Sequence, residues 1–93
     1  MTDDLTLDKD GALEFPCRYP VKAMTHTREQ ALDQVLAAIA ALDVAVDHQT
    51  VTVRASRNGR YQSITVEVEV DSRPELESVY AELRALDIVV MTL

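Results

Sequence analysis

Hydrophobic positions fall into two periods along this chain, and the switches between them outline the elements. Over residues 18–25, Tyr19, Val21 and Ala23 alternate with Arg18, Pro20 and Lys22. This is the period-2 pattern of a half-buried strand. Pro20 has no N–H to give a ladder, so it belongs near the strand's start or at a bulge. The period then lengthens. Leu32, Val35, Leu36, Ile39 and Leu42 fall at i, i+3, i+4, i+7 and i+10, one apolar stripe of a helix ending near Leu42. Thr27 and Gln30 have the spacing of a capping box, with Thr27 as N-cap.

Alternation returns over residues 50–55, with Val51, Val53 and Ala55 on one face. Over residues 61–70, Ile64, Val66, Val68 and Val70 oppose Ser63, Thr65, Glu67 and Glu69. Asn58-Gly59 between the two runs is a hairpin signal, because a type I′ turn needs positive φ at both positions. A two-residue turn there pairs Val53 with Ile64, Val51 with Val66, Thr52 with Thr65 and His48 with Glu69, and a longer loop of the same parity fits as well. Ser72 and Glu75 form a second capping box, followed by the stripe Leu76, Val79, Tyr80, Leu83 and Leu86. Residues 88–93 are a last strand. Both of its faces are largely apolar, so the pattern leaves open which one is buried.

The order βαββαβ, two βαβ halves, predicts an α+β ferredoxin-like two-layer sandwich. Its antiparallel sheet runs 4-1-3-2, with both helices on one face. Residues 1–12 carry Asp3, Asp4, Asp8 and Asp10 against Lys9 and read as an acidic flexible tail. Residues 13–93 form the single domain.

Charge narrows the function classes. Nine Lys and Arg against sixteen Asp and Glu give a net charge of -7. Nucleic acid and anionic membrane are therefore not expected partners. No apolar run reaches a membrane span, no signal peptide is read at the start, and one cysteine fits a reducing cytoplasm. Cys17 lacks a neighbouring base and reads as an inert strand thiol. His26 and His48 belong to different parts of the fold, so no metal and no cofactor are expected. Glu67 and Glu69, two apart on the open face of one strand, read as solvating carboxylates.

The topology does gather charge. The first strand points to the same end as the hairpin. Thr25, His26, Thr27 and Arg28 are thereby expected near Arg57 and Arg60, with Arg84 not far off. The first helix starts there and adds unpaired N–H groups. The opposite end collects Asp43, Asp47, Asp71, Glu75 and Glu77. The basic end is a candidate site for an anionic small molecule or an unknown protein partner. Three solvated arginines are the plainer reading of the same pattern. On the open sheet face, Met24, Tyr61, Ile88 and Val90 form an apolar patch if Val89, Met91 and Leu93 face the core. That patch, with the last strand as a sheet edge, would suit a homodimer.

Three stretches resemble a known family. Residues 13–24, LEFPCRYPVKAM, are similar to the opening LEFP…(Y/F)P(V/I)K(V/A)MG of the bacterial YbeD-like proteins. Residues 56–63, SRNGRYQS, resemble that family's S-S-K-G-N-Y-x-S hairpin. Residues 86–93, LDIVVMTL, resemble its closing strand. Thr25 stands where the family has glycine, and Asn58 and Arg60 replace its hairpin lysine and asparagine. The resemblance implies a small cytosolic protein with a fold like the ACT regulatory domains of amino-acid enzymes. It also implies a link to lipoate metabolism through gene neighbourhood, and it brings no catalytic residues. The expectation is a non-enzymatic regulatory or protein-interaction module. A dimeric sensor of an anionic metabolite or amino acid is the alternative. The acylphosphatases share this fold but need an anion-cradling glycine loop after the first strand, which Thr25-His26-Thr27 is not.

Overall fold

In the computed structural model, which describes residues 14–93, the alternating segment after Pro16 becomes β1 (Cys17–His26). The expected tail over 1–12, and Leu13, lie outside the described residues. The remaining elements are α1 (Ala31–Ala40), β2 (Ala45–Ala55), β3 (Tyr61–Val70), α2 (Arg73–Arg84) and β4 (Val89–Thr92). The strands make one sheet in the order β2-β3-β1-β4, which is 4-1-3-2 read from the other edge.

The two central strands pair without a break from Cys17↔Val70 to His26↔Tyr61. Pro20 is the fourth residue of β1 and does not sit at a bulge. The Lys22 carbonyl accepts from the Leu93 N–H, and the His26 N–H donates to the Ile88 carbonyl. Even-numbered residues of β1 therefore turn their backbone groups toward β4. The β4 ladder covers only Ala23 to Thr25. Pro20 lies past it, so its missing N–H removes no ladder bond.

Burial follows parity. Val21, Ala23, Ile64, Val66, Val68 and Val70 face the helices and are buried. Val35 and Ile39 of α1 and Leu76, Val79 and Leu83 of α2 close the core from above. The other sheet face is open. Removing this apolar area from water is the main favourable term in the fold.

The two helix starts differ. Ser72 caps α2 as expected, its hydroxyl accepting from the Glu75 N–H at 3.2 Å. The Glu75 carboxylate reaches back to the Asp71 N–H at 2.7 Å, one residue earlier than the motif predicts. Thr27, by contrast, is not the N-cap of α1. That position is Gln30, whose side chain makes no capping bond. The Thr27 N–H is committed to the Arg60 carbonyl at 3.2 Å, and Ala31 N–H closes a turn on Arg28. The chain follows the sheet for longer than the motif implies, and the helix starts only once it has turned back. At the other end of α1, Asp43 takes a left-handed φ of 60°, which ends the helix sharply.

The hairpin is the longer loop of the same parity. Only Gly59 has positive φ, 75°, so the turn is not type I′ at Asn58-Gly59. Its first bond runs from the Gly59 N–H to the Ser56 carbonyl. Val53↔Ile64 and Thr52↔Thr65 pair as expected. His48 does not meet Glu69. The register shifts between Asp47 and Thr52, and Ala45 takes the place opposite Glu69. The extra residues of β2 are turned out of the ladder locally: the Gln49 N–H donates to the Asp47 carboxylate and the Thr50 hydroxyl to the Asp47 carbonyl.

The last strand has mixed parity, for a definite reason. Met24 pairs with Met91 but Thr25 pairs with Val89, so Val90 is the extra residue of a bulge. Val89 consequently packs on the core and Met91 falls on the open face. Ile88, expected on the open face, is 7% exposed and belongs to the core.

Candidate functional site

Four segments meet at the hairpin end of the sheet. The end of β1 supplies Thr25 and His26, and the turn before α1 supplies Thr27 and Arg28. The β2–β3 loop carries Arg57 and Arg60. The bond from the Thr27 N–H to the Arg60 carbonyl ties the turn to the loop. The His26 and Tyr61 rings lie beside each other, centroids 5.4 Å apart and tilted by 36°. The loop is braced from within. The Tyr61 N–H donates to the Ser56 hydroxyl at 3.1 Å, and the Arg60 N–H to the Asn58 side-chain carbonyl at 3.0 Å.

Thr27, Arg28, Arg57 and Arg60 are exposed here, and His26 is half-buried. Thr25 is not available. It is fully buried, and its hydroxyl donates to the His26 carbonyl at 2.9 Å. Thr25 thus holds the strand end and cannot contact a ligand, a correction to its place among the candidates. The helix start offers less than expected too. Asp33 sits in its first turn, where it already answers the partial positive charge. What remains is three guanidinium groups on a braced frame, reaching into solvent. Such a surface attracts carboxylates or phosphates and supplies no bond-making chemistry of its own.

The open sheet face is composed differently from the expected patch, since Ile88 is in the core and Met91 and Leu93 are exposed. Met24 and Tyr61 are half-buried, Val90 is 48% exposed, and Met91 takes the place expected of Ile88.

Sequence reasoning missed Arg18. Its guanidinium bridges two strands, 2.6 Å from the Asp47 carboxylate on β2 and 2.7 Å from that of Glu67 on β3. Two concavities of about 330 Å³ adjoin it. One is lined by Pro16, Cys17, Glu69 and Asp71, the other by Ala45, Val46, Asp47, Glu67 and Glu69. Sequence parity already places Arg18 on the same open face as Glu67 and Glu69. Asp47 arrives only through the shifted register of β2.

The Cys17 thiol is half-buried, and burial pushes its pKa up. A thiol held protonated is a poor nucleophile. Among the described residues no three His, Cys, Asp or Glu side chains converge as metal ligands. No helix among them is long and apolar enough to cross a membrane.

Residues 10–93 match the family model described as "Protein of unknown function (DUF493)". A UPF0250 protein of Nitrosomonas europaea is 32% identical over 87 residues, covering 94% of this chain and all of that one. The motif resemblance is borne out, since the matched residues contain all three motif stretches. The solution structure of protein HP0495 from H. pylori is similar, with TM-score 0.76 and 20% identity, over 91% of this chain and 89% of that one. The ACT domain from the GTP pyrophosphokinase of Chlorobium tepidum shares the fold. Its TM-score is 0.66 at 13% identity, over 82% of this chain and 94% of that one.

Proposed function

The chain belongs to the DUF493 family, and from that premise we propose that it is a non-enzymatic interaction module that docks an acidic partner protein on its hairpin end. One observation carries the reading. The Thr27–Arg60 backbone bond holds two separate segments together, so that exposed Arg28, Arg57 and Arg60 project from one rigid end of an otherwise acidic molecule. A rim of arginines on a fixed frame selects a partner by charge and speeds its approach. The fold shared with an ACT domain supports a regulatory setting by analogy. The cytoplasmic location and the link to lipoate synthesis rest on the family resemblance and complete the proposal.

Affinity capture from the cytoplasm of the source cell tests it. The Arg57→Ala/Arg60→Ala double variant should lose capture of its partner at least tenfold while melting at the wild-type temperature. Unchanged capture by the folded variant would sink the docking surface. A saturable rise in melting temperature with an anionic metabolite, abolished by Arg28→Ala, would replace the partner with a small molecule.

A further inference from the structure

The two edges of the sheet are built differently. β2 is the long edge, and it is guarded in the usual ways. It carries Asp47, His48 and Arg54, and its pairing is broken between Asp47 and Thr52. Charges and irregularities of this kind keep an edge from pairing with another chain. β4 has no charged side chain; indeed none occurs from Ile88 to Leu93. Among the described residues, three of the four exposed large hydrophobic side chains cluster on this strand and the residue after it: Val90 at 48%, Met91 at 46% and Leu93 at 59%. The Leu93 N–H points inward to Lys22. Backbone groups alternate along a strand, so the Thr92 N–H and carbonyl point outward, where no strand lies among the described residues.

We propose that β4 is a homodimer edge, at which β4 of a second copy pairs antiparallel to form one continuous eight-stranded sheet. The occupant follows from charge. An antiparallel pair of identical strands lies about a two-fold axis, so a residue at the axis faces its own copy and its neighbours on the strand face one another. A charged edge would repel itself there, whereas β4 brings only Val, Met and Thr to the axis. The same axis joins the two Met24–Met91 patches on the open face into one apolar surface. The edge is only four residues long, so the association is weak and depends on concentration. It is separate from the arginine end and can fail or stand without it.

Sedimentation of the full chain from micromolar to submillimolar concentration should show the mean mass rising from 10.3 kDa toward twice that value. Val90→Lys and Met91→Lys, both at exposed positions, should each hold the protein monomeric with a wild-type circular dichroism spectrum. Val53→Lys on the β2 edge, and Arg57→Ala/Arg60→Ala, should leave the association unchanged. In the wild-type chain, hydrogen exchange at the Thr92 amide should slow as concentration rises, a readout that needs no variant. A monomer throughout the range overturns the proposal. So does association lost in Val53→Lys but kept in Val90→Lys, or a Thr92 amide whose exchange is independent of concentration.

Discussion

Tyr80 shows how much a single side chain can depend on the elements around it. Its hydroxyl donates to the Leu93 carbonyl at 3.2 Å, joining α2 to the residue after β4. Burial, and then the neighbouring Tyr19, push its pKa from the ordinary 10 up to about 12. Between those two values the unfolded chain gives up this proton and the folded chain keeps it. The folded state then holds more protons, so stability falls as pH rises through this window. Tyr80→Phe should cost about 1 kcal/mol at neutral pH for the lost hydrogen bond. It should also flatten the fall in melting temperature between pH 10 and about 12, and wild-type and variant curves that run parallel would refute the assignment. Arg18 makes a related point. Each of its ion pairs is more than a third exposed on the arginine side, where such pairs are worth little singly. Its place was half legible. Parity puts it among carboxylates, but Asp47 reaches it only because β2 slips register on the far side of β3.

At the scale of elements, the same motif had two outcomes. Thr27/Gln30 and Ser72/Glu75 share a spacing, yet only Ser72 caps a helix. Ser72→Ala should cost about 1 kcal/mol in a denaturant melt. Thr27→Ala should stay within about 0.5 kcal/mol, because its anchoring bond is made by the backbone. Equal losses at both sites would contradict the helix starts given above. The bulge in β4 makes a second pair. Ile88→Ala removes a core side chain and should cost about 2–5 kcal/mol. Val90→Ala, two residues on, should lie within about 0.5 kcal/mol. If Val90 proved the costlier site, the strand would face the other way.

At the scale of the whole molecule, the topology sorts charge that is mixed along the chain. β1 and the hairpin converge on Arg28, Arg57 and Arg60, while Asp47, Glu67, Glu69 and Asp71 gather with Arg18 toward the other end. Partner capture at the arginine end should therefore weaken steeply with salt, since the screening length shrinks from about 8 Å near physiological ionic strength toward about 3 Å at 1 M. Capture that is indifferent to salt would point to an apolar contact instead, and β4 with its Met24–Met91 patch is where that contact would be sought.

The order of elements, the sheet order and the buried faces of β1 and β3 were determined by the chain's own periodicity, because a period of 2 or 3.6 admits few ways to hide one face. The family, too, was legible in three short stretches. The tertiary structure alone decided the start of α1, the slip in β2, the parity of β4 and the burial of Thr25. Each of these depends on a partner distant in sequence. Thr27 is held by Arg60, Asp47 by Arg18, and β4 bulges at Val90 where it pairs with β1. Local pattern cannot contain such choices, since the energies that settle them arise only when the strands are already side by side.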